Sequence, residues 1–165
     1  MRASRRWAST VTVLGALAGP TVSTAADQAA APPADPQPSA PDRALVFTAA
    51  GFARRGDRWI RCVEETPTAS YGPGRIDVTD LNGDGRPEAW VIESSAYCYG
   101  GAGQVTVLVT RDADGTWRKI LDEVGVAAVR DTTTRGWPDL VVGGPGLAPV
   151  PPHRWNGTTY VQTAQ

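Results

Sequence analysis

Apolar and polar positions alternate along this chain over short runs. Residues 59–63, 75–79, 89–93, 104–110, 116–121, 126–130, 139–142, 153–155 and 159–162 are strand-like, and predict short strands. Turn residues separate them. Asp112-Ala113-Asp114-Gly115 and Asn156-Gly157 read as hairpin turns, because Gly, Asn and Asp accept the positive φ those turns demand. One segment differs. Over 43–50, Leu45, Ala49 and Phe52 fall on one helical face, with Asp42 placed to cap the start and Gly51 to end it. The expectation is a mainly β domain with one short N-terminal helix.

The strand pattern also repeats. DLNGDGRPE at 80–88 aligns with DTTTRGWPD at 131–139, AWVI with LVVG, and the DADGTW hairpin with the WNGTTY hairpin. Units of this length, with about four strands each, predict two propeller-blade-like repeats of short antiparallel strands, at about 75–125 and 126–165. Two blades cannot close a ring, so the two sheets must pack on each other or borrow a partner. The glycine-rich stretches 100–103 and 143–146 are the corresponding crossings and candidate surface loops.

Composition places the domain. Arg2, Arg5 and Arg6 precede an uncharged, mostly apolar run at 7–18, and Ser23, Thr24, Ala25 and Ala26 suit cleavage. This order reads as a signal peptide over 1–26. Its apolar run is shorter than the roughly 20 residues a membrane span needs, and no later stretch does better. Residues 27–41 hold five prolines and no bulky apolar side chain, which predicts a disordered, semi-extended linker. A single domain over 42–165 follows, exported to the periplasm or beyond. Beyond residue 26 the acids outnumber the bases 17 to 13, a poor balance for binding nucleic acid. Cys62 and Cys98 are the only cysteines. In an oxidising compartment their default is one disulfide, the alternative being two buried thiols.

The clearest chemistry lies at 80–88. Asp80, Asn82, Asp84 and Glu88 put oxygen side chains at positions 1, 3, 5 and 9, Gly85 allows the bend, and the carbonyl of Arg86 is placed to join them. An all-oxygen shell with three carboxylates suits one structural Ca2+ ion and not a soft metal. An acidic turn without metal is the plain alternative. The loop is not an EF-hand, since Val91 stands where that motif needs its bidentate Glu and the flanks look extended. The second copy carries Thr133 and Arg135 in place of Asn82 and Asp84. It is expected to bind no metal, with the Arg135 guanidinium inside the loop satisfying Asp131 and Asp139.

On Asp80, Asn82, Asp84 and Glu88, with Arg86 as carbonyl donor, the loop resembles the calcium loops of FG-GAP/VCBS-type repeats, as in integrin-like β-propellers. The close resemblance covers about twenty residues, and a looser one roughly 75–165. It implies a structural ion on the rim of a blade and a role in binding. The chain departs from the family in repeat number and in its second loop. As a whole it also resembles small exported bacterial proteins.

Catalytic signatures are weak. There is no G-x-S-x-G and no HExxH, and the single histidine, His153, has no elbow-type serine to serve. Glu64, Glu65, Glu93 and Glu123 read as surface carboxylates. The aromatic residues are the better lead. Most of the tryptophans are expected in the core, while Trp137, Tyr97 and Tyr99 sit beside loops and are candidate partner contacts. The leading expectation is a calcium-braced β module that is not an enzyme and binds a protein or envelope glycan. A carboxylate hydrolase, or an inhibitor of a secreted enzyme presenting 97–104, are the alternatives.

Overall fold

Within each set of four successive strands, short connections force each strand to fold back beside the one before it, antiparallel. The first set is β3 (Gly72–Thr79), β4 (Glu88–Ser94), β5 (Gln104–Arg111) and β6 (Trp117–Val124); the second is β7 (Val126–Thr134), β8 (Trp137–Gly143), β9 (His153–Trp155) and β10 (Tyr160–Gln162). Each forms its own four-stranded meander in sequence order. The two repeats of short antiparallel strands expected from the sequence are therefore present as sheets. A small hairpin, β1 (Ala53–Arg55) with β2 (Arg58–Ile60), makes a third sheet. The computed structural model describes residues 38–63, 69–144 and 150–164, and only the backbone of residues 40 and 41. The expected signal peptide, most of the linker, Glu64 and Glu65 lie outside these residues, as does part of the second glycine-rich crossing.

The helix α1 (Ala40–Ala49) starts earlier than its pattern suggested, and Ser39 rather than Asp42 caps it. The Ser39 hydroxyl accepts from the Asp42 N–H and donates to the Asp42 carboxylate, so both polar residues serve one end of the helix. Pro41 is tolerated because it lies in the first turn, where no N–H partner is required. The buried face is also different. Val46, Phe47 and Ala50 are fully buried, whereas Leu45 is 55% exposed. A ten-residue helix with few apolar positions leaves its facing ambiguous until the sheet chooses it.

Sheet 1 (β3 to β6) has both faces covered. Val46, Phe47 and Phe52 pack on one face against Ile76, Val78, Val91, Val107 and Val109. Trp59 of β2 stacks on Phe47 at 5.0 Å, seating the hairpin beside the helix. On the other face Leu108, Ile120 and Leu121 meet Leu140, Val142, Trp155 and Tyr160 of sheet 2 (β7 to β10). The two sheets do pack on each other. A β-bulge makes this possible. Leu108 pairs with Leu121 but Val109 pairs with Lys119, so Ile120 is an extra residue in β6. That insertion lets consecutive Ile120 and Leu121 enter the same inter-sheet cluster, where strict alternation would send them to opposite faces.

Gly125 alone links the sheets in sequence. Its N–H donates to the Gln104 carbonyl at 2.9 Å and its carbonyl accepts from the Thr106 hydroxyl at 2.6 Å. The first glycine-rich crossing carries a short helix, α2 (Ala96–Tyr99), that continues into a 3₁₀ turn, Gly100–Ala102. The Ser95 hydroxyl caps α2 by accepting from the Cys98 N–H at 3.0 Å. A disulfide joins Cys98 to Cys62, with Cα atoms 6.0 Å apart. Closing this loop contributes about 3–4 kcal/mol on the chain-entropy argument. Among the described residues no helix is long and apolar enough to cross a membrane.

Candidate metal centre

The 80–88 loop joins β3 to β4, as a strand–loop–strand cation loop requires. Asp80 is its hub. One of its carboxylate oxygens accepts from the Gly83 and Asp84 N–H groups at 2.8 and 3.1 Å, and the other accepts from Gly85 at 3.0 Å. The Asn82 side chain accepts from the Asp84 N–H and donates to the Asp84 carboxylate. Gly85 sits at φ 82°. The chain therefore turns around Asp80, with Gly85 at the bend as expected.

The convergence of all the donors is incomplete. Among the described residues no three His, Cys, Asp or Glu side chains are grouped at metal-binding distance. Asp84 is ion-paired to the Arg86 guanidinium. Glu88, fully buried, accepts from the Leu81 N–H at 2.8 Å and from the Thr110 hydroxyl at 2.7 Å. Burial pushes the Glu88 carboxyl above its usual range, against the pull of those two hydrogen bonds, and the charges of Asp84 and Asp80 add to the rise. The physical reason is mutual repulsion. Three carboxylates within nine residues separate until donors or a cation screen them. Each carboxylate offers about four lone-pair sites, so these hydrogen bonds leave oxygen capacity for a hard ion. An all-oxygen donor set of this kind suits a hard cation in chemistry, and Asp84 would have to leave Arg86 to join it. Thr110 was not legible as part of the site. It lies 22 residues from Glu88 and reaches it only because the two are register partners on β5 and β4.

The degenerate copy takes another route. Arg135 and Gly136, at φ 54° and 82°, form a two-residue turn directly between β7 and β8, with the positive φ at both positions that a tight hairpin needs. Residues 130–132 then bulge opposite Asp139, since Val129 pairs with Leu140 and Thr133 with Pro138. Asp139 is buried, but Arg135 does not satisfy it. The Thr132 and Thr134 hydroxyls donate to it at 2.8 and 2.7 Å, and Arg154 approaches to 3.6 Å. Burial opposes ionisation here, and those hydroxyls and the Arg154 charge outweigh it, holding the carboxyl below its usual range. The Arg135 guanidinium instead donates to the Asn156 carbonyl at 2.6 Å. A two-residue turn is too tight to fold a long side chain back inside itself, so the guanidinium goes to the neighbouring hairpin.

Glu93 overturns its surface reading. It is fully buried, and its carboxylate accepts from the Arg61 and Cys62 N–H groups at 3.0 and 2.8 Å and from the Tyr71 and Tyr99 hydroxyls. Burial and the Glu93 carboxylate push the Tyr99 phenol well above its usual range. Tyr99 is half-buried, with its hydroxyl donating to Glu93. Tyr97, 75% exposed, projects from α2. Trp137 is half-buried, stacked on Trp155 at 4.4 Å and edge-on to Tyr160. His153 is buried, with its Nε2 3.5 Å from the exposed Glu123 carboxylate. Trp137→Ala is expected to remove about 2 kcal/mol, part of the full cost of emptying an aromatic core site, whereas Tyr97→Ala leaves stability unchanged. Urea midpoints of the two variants check this, and equal midpoints would detach Trp137 from the core.

No protein family, curated sequence or solved structure matches this chain. Its class is that of a mainly β fold of two packed four-stranded meanders.

Proposed function

We propose that this chain is an exported, non-catalytic β module, braced by one calcium ion in the 80–88 loop, that binds a protein or an envelope glycan. One observation carries the brace. A loop wound around the Asp80 carboxylate ends on a fully buried Glu88, and Arg86 is the one cationic side chain paired with its carboxylates among the described residues. A buried carboxylate lacking full compensation is costly, and a divalent ion held by Asp80, Asn82, Asp84, Glu88 and the Arg86 carbonyl relieves that cost. The disulfide suits an oxidising compartment. A non-catalytic role is supported by Glu93, whose oxygens are already taken by four donors.

Calcium titration tests the brace. Extracellular modules bind at a Kd near 10⁻⁴ M, so about 1 mM calcium adds ~1.4 kcal/mol, or roughly 5 °C in Tm for a domain of this size. Asp80→Asn should abolish both the heat of binding and the Tm rise. A wild-type chain that shows neither removes calcium from the proposal. Affinity capture from envelope extract, with and without calcium, tests for the partner.

A second reading, an inhibitor of a secreted enzyme, is favoured by the 96–102 segment. The disulfide holds Cys98, and the Ser95 N–H donates to the Gly103 carbonyl at 2.9 Å to close the base, presenting Tyr97 outward. Loss of capture in Tyr97→Ala at unchanged Tm would select it.

A further inference from the structure

Strand β7 is an edge of sheet 2. Among the described residues its outer row of N–H and C=O groups has no ladder partner, and nearly all its side chains are exposed. Such an edge is a template for another strand unless charge, bulge or cover blocks it. The bulge at 130–132 protects one half of β7. Residues 126–129 carry no charge, and Val126 and Val129 are 50% and 52% exposed.

Hollows lie on both sides of this edge. On the outer face of sheet 2, one of about 600 Å³ is lined by Val126, Arg130, Thr132, Val141, Pro152 and Arg154. Between β7 and sheet 1, another of about 320 Å³ is lined by Trp90, Ile92, Thr106, Ala127 and Val129. Successive side chains of a strand point to opposite faces, so a strand added to β7 feeds the two hollows alternately. Their chemistry differs. The outer hollow holds two guanidiniums and one carboxylate, Asp139, which is buried, bonded by Thr132 and Thr134 and paired with Arg154 at 3.6 Å, so Arg130 carries the uncompensated charge. Its surplus charge is positive. At the rim of the inner hollow Arg75 and Asp77 pair with each other, leaving Trp90 and Ile92 as an apolar wall.

We propose that the open edge of β7 docks an extended peptide in which acidic and apolar side chains alternate, the acidic ones meeting Arg130 and Arg154 and the apolar ones meeting Trp90 and Ile92. This β-augmentation takes affinity from the main chain and specificity from the alternate pockets. It rests on the protein-binding half of the proposed function and names the partner's chemistry. A second copy fits less well, because the β7 residues it would offer to the outer hollow, Val126, Ala128 and Arg130, include no carboxylate.

The test uses the full disulfide-bonded chain and a capped nine-residue peptide of alternating valine and glutamate, long enough to pair with 126–129 and reach Arg130 in either register. Saturable binding by calorimetry is expected. Arg130→Ala, at an exposed position, should weaken it on the order of tenfold, as should replacing glutamate by lysine in the peptide. N-methylation of one alternate set of peptide amides should abolish binding and of the other set leave it, because only alternate amides face β7. No binding at about 1 mM peptide, equal binding of the lysine peptide, or equal effects of the two methylation sets would overturn the proposal. So would a dimer in sedimentation that Val129→Lys dissociates. Capture of an envelope partner unaffected by Arg130→Ala would sink this docking edge and leave the broader binding role standing. Peptide binding without any calcium response would do the reverse for the brace.

Discussion

Glu93→Gln will cost the fold about 3 kcal/mol and lower its Tm by roughly 10 °C. The carboxylate is an acceptor on both oxygens, and four donors point at it: two backbone N–H groups and two phenols. Glutamine keeps one acceptor and replaces the other with an NH₂ group. The phenols can rotate their hydrogens and accept, but the N–H groups of Arg61 and Cys62 cannot. One of them is left facing another donor on the fully buried Glu93 side chain. The damage is local to the junction that pins the 61–62 segment, α2 and the disulfide to the end of β4. Tyr99→Phe, which removes one donor and leaves the carboxylate three, should cost only about 1 kcal/mol. Urea denaturation with the disulfide intact measures both. A glutamine variant as stable as the phenylalanine variant would show that the carboxylate is not the hub of that junction.

Gly125→Ala will cost the fold about 4 kcal/mol. A Cβ there would lie 2.9 Å from the Gly143 carbonyl oxygen and 3.0 Å from its nitrogen, with φ at 142°. Those neighbours are backbone at the end of β8 and cannot swing aside. The contact forces Gly125 away from the end of β8, where Gly125 also bonds Gln104 and Thr106 of sheet 1. Overpacking and the unfavourable φ each contribute roughly 1–3 kcal/mol. Gly115→Ala is the control. Its φ of 87° is also unfavourable, but its nearest neighbour is the end of the Arg111 side chain at 3.8 Å. The gap between the two urea midpoints isolates the collision, and equal midpoints would remove it from the account.

These two residues show how unevenly the sequence can be read. The strands around them were legible because alternation and turn residues are local properties. The 153–155 strand and the Asp112 and Asn156 turns fall where expected. The loop at 80–88 was legible because its spacing and its glycine act within nine residues. Glu93 carried no comparable signal. Its donors come from residues 61, 62, 71 and 99, and nothing adjacent in sequence distinguishes it from an exposed glutamate. Arg135 misled for the same reason. Alignment with Asp84 placed it in a loop, whereas the turn it occupies is too short to be one.

By itself the sequence determined the β class, the two four-strand repeats, the helix ahead of them and the bend of the 80–88 loop. Each follows from side-chain chemistry and backbone preference over a few neighbouring positions. The tertiary structure alone decided which face of α1 is buried, that an extra residue in β6 lets the sheets interlock, that Glu93 and Glu88 lie inside, and that β7 is left as an open edge. Those outcomes depend on register and on which surface reaches which, and contacts between residues distant in the chain set both.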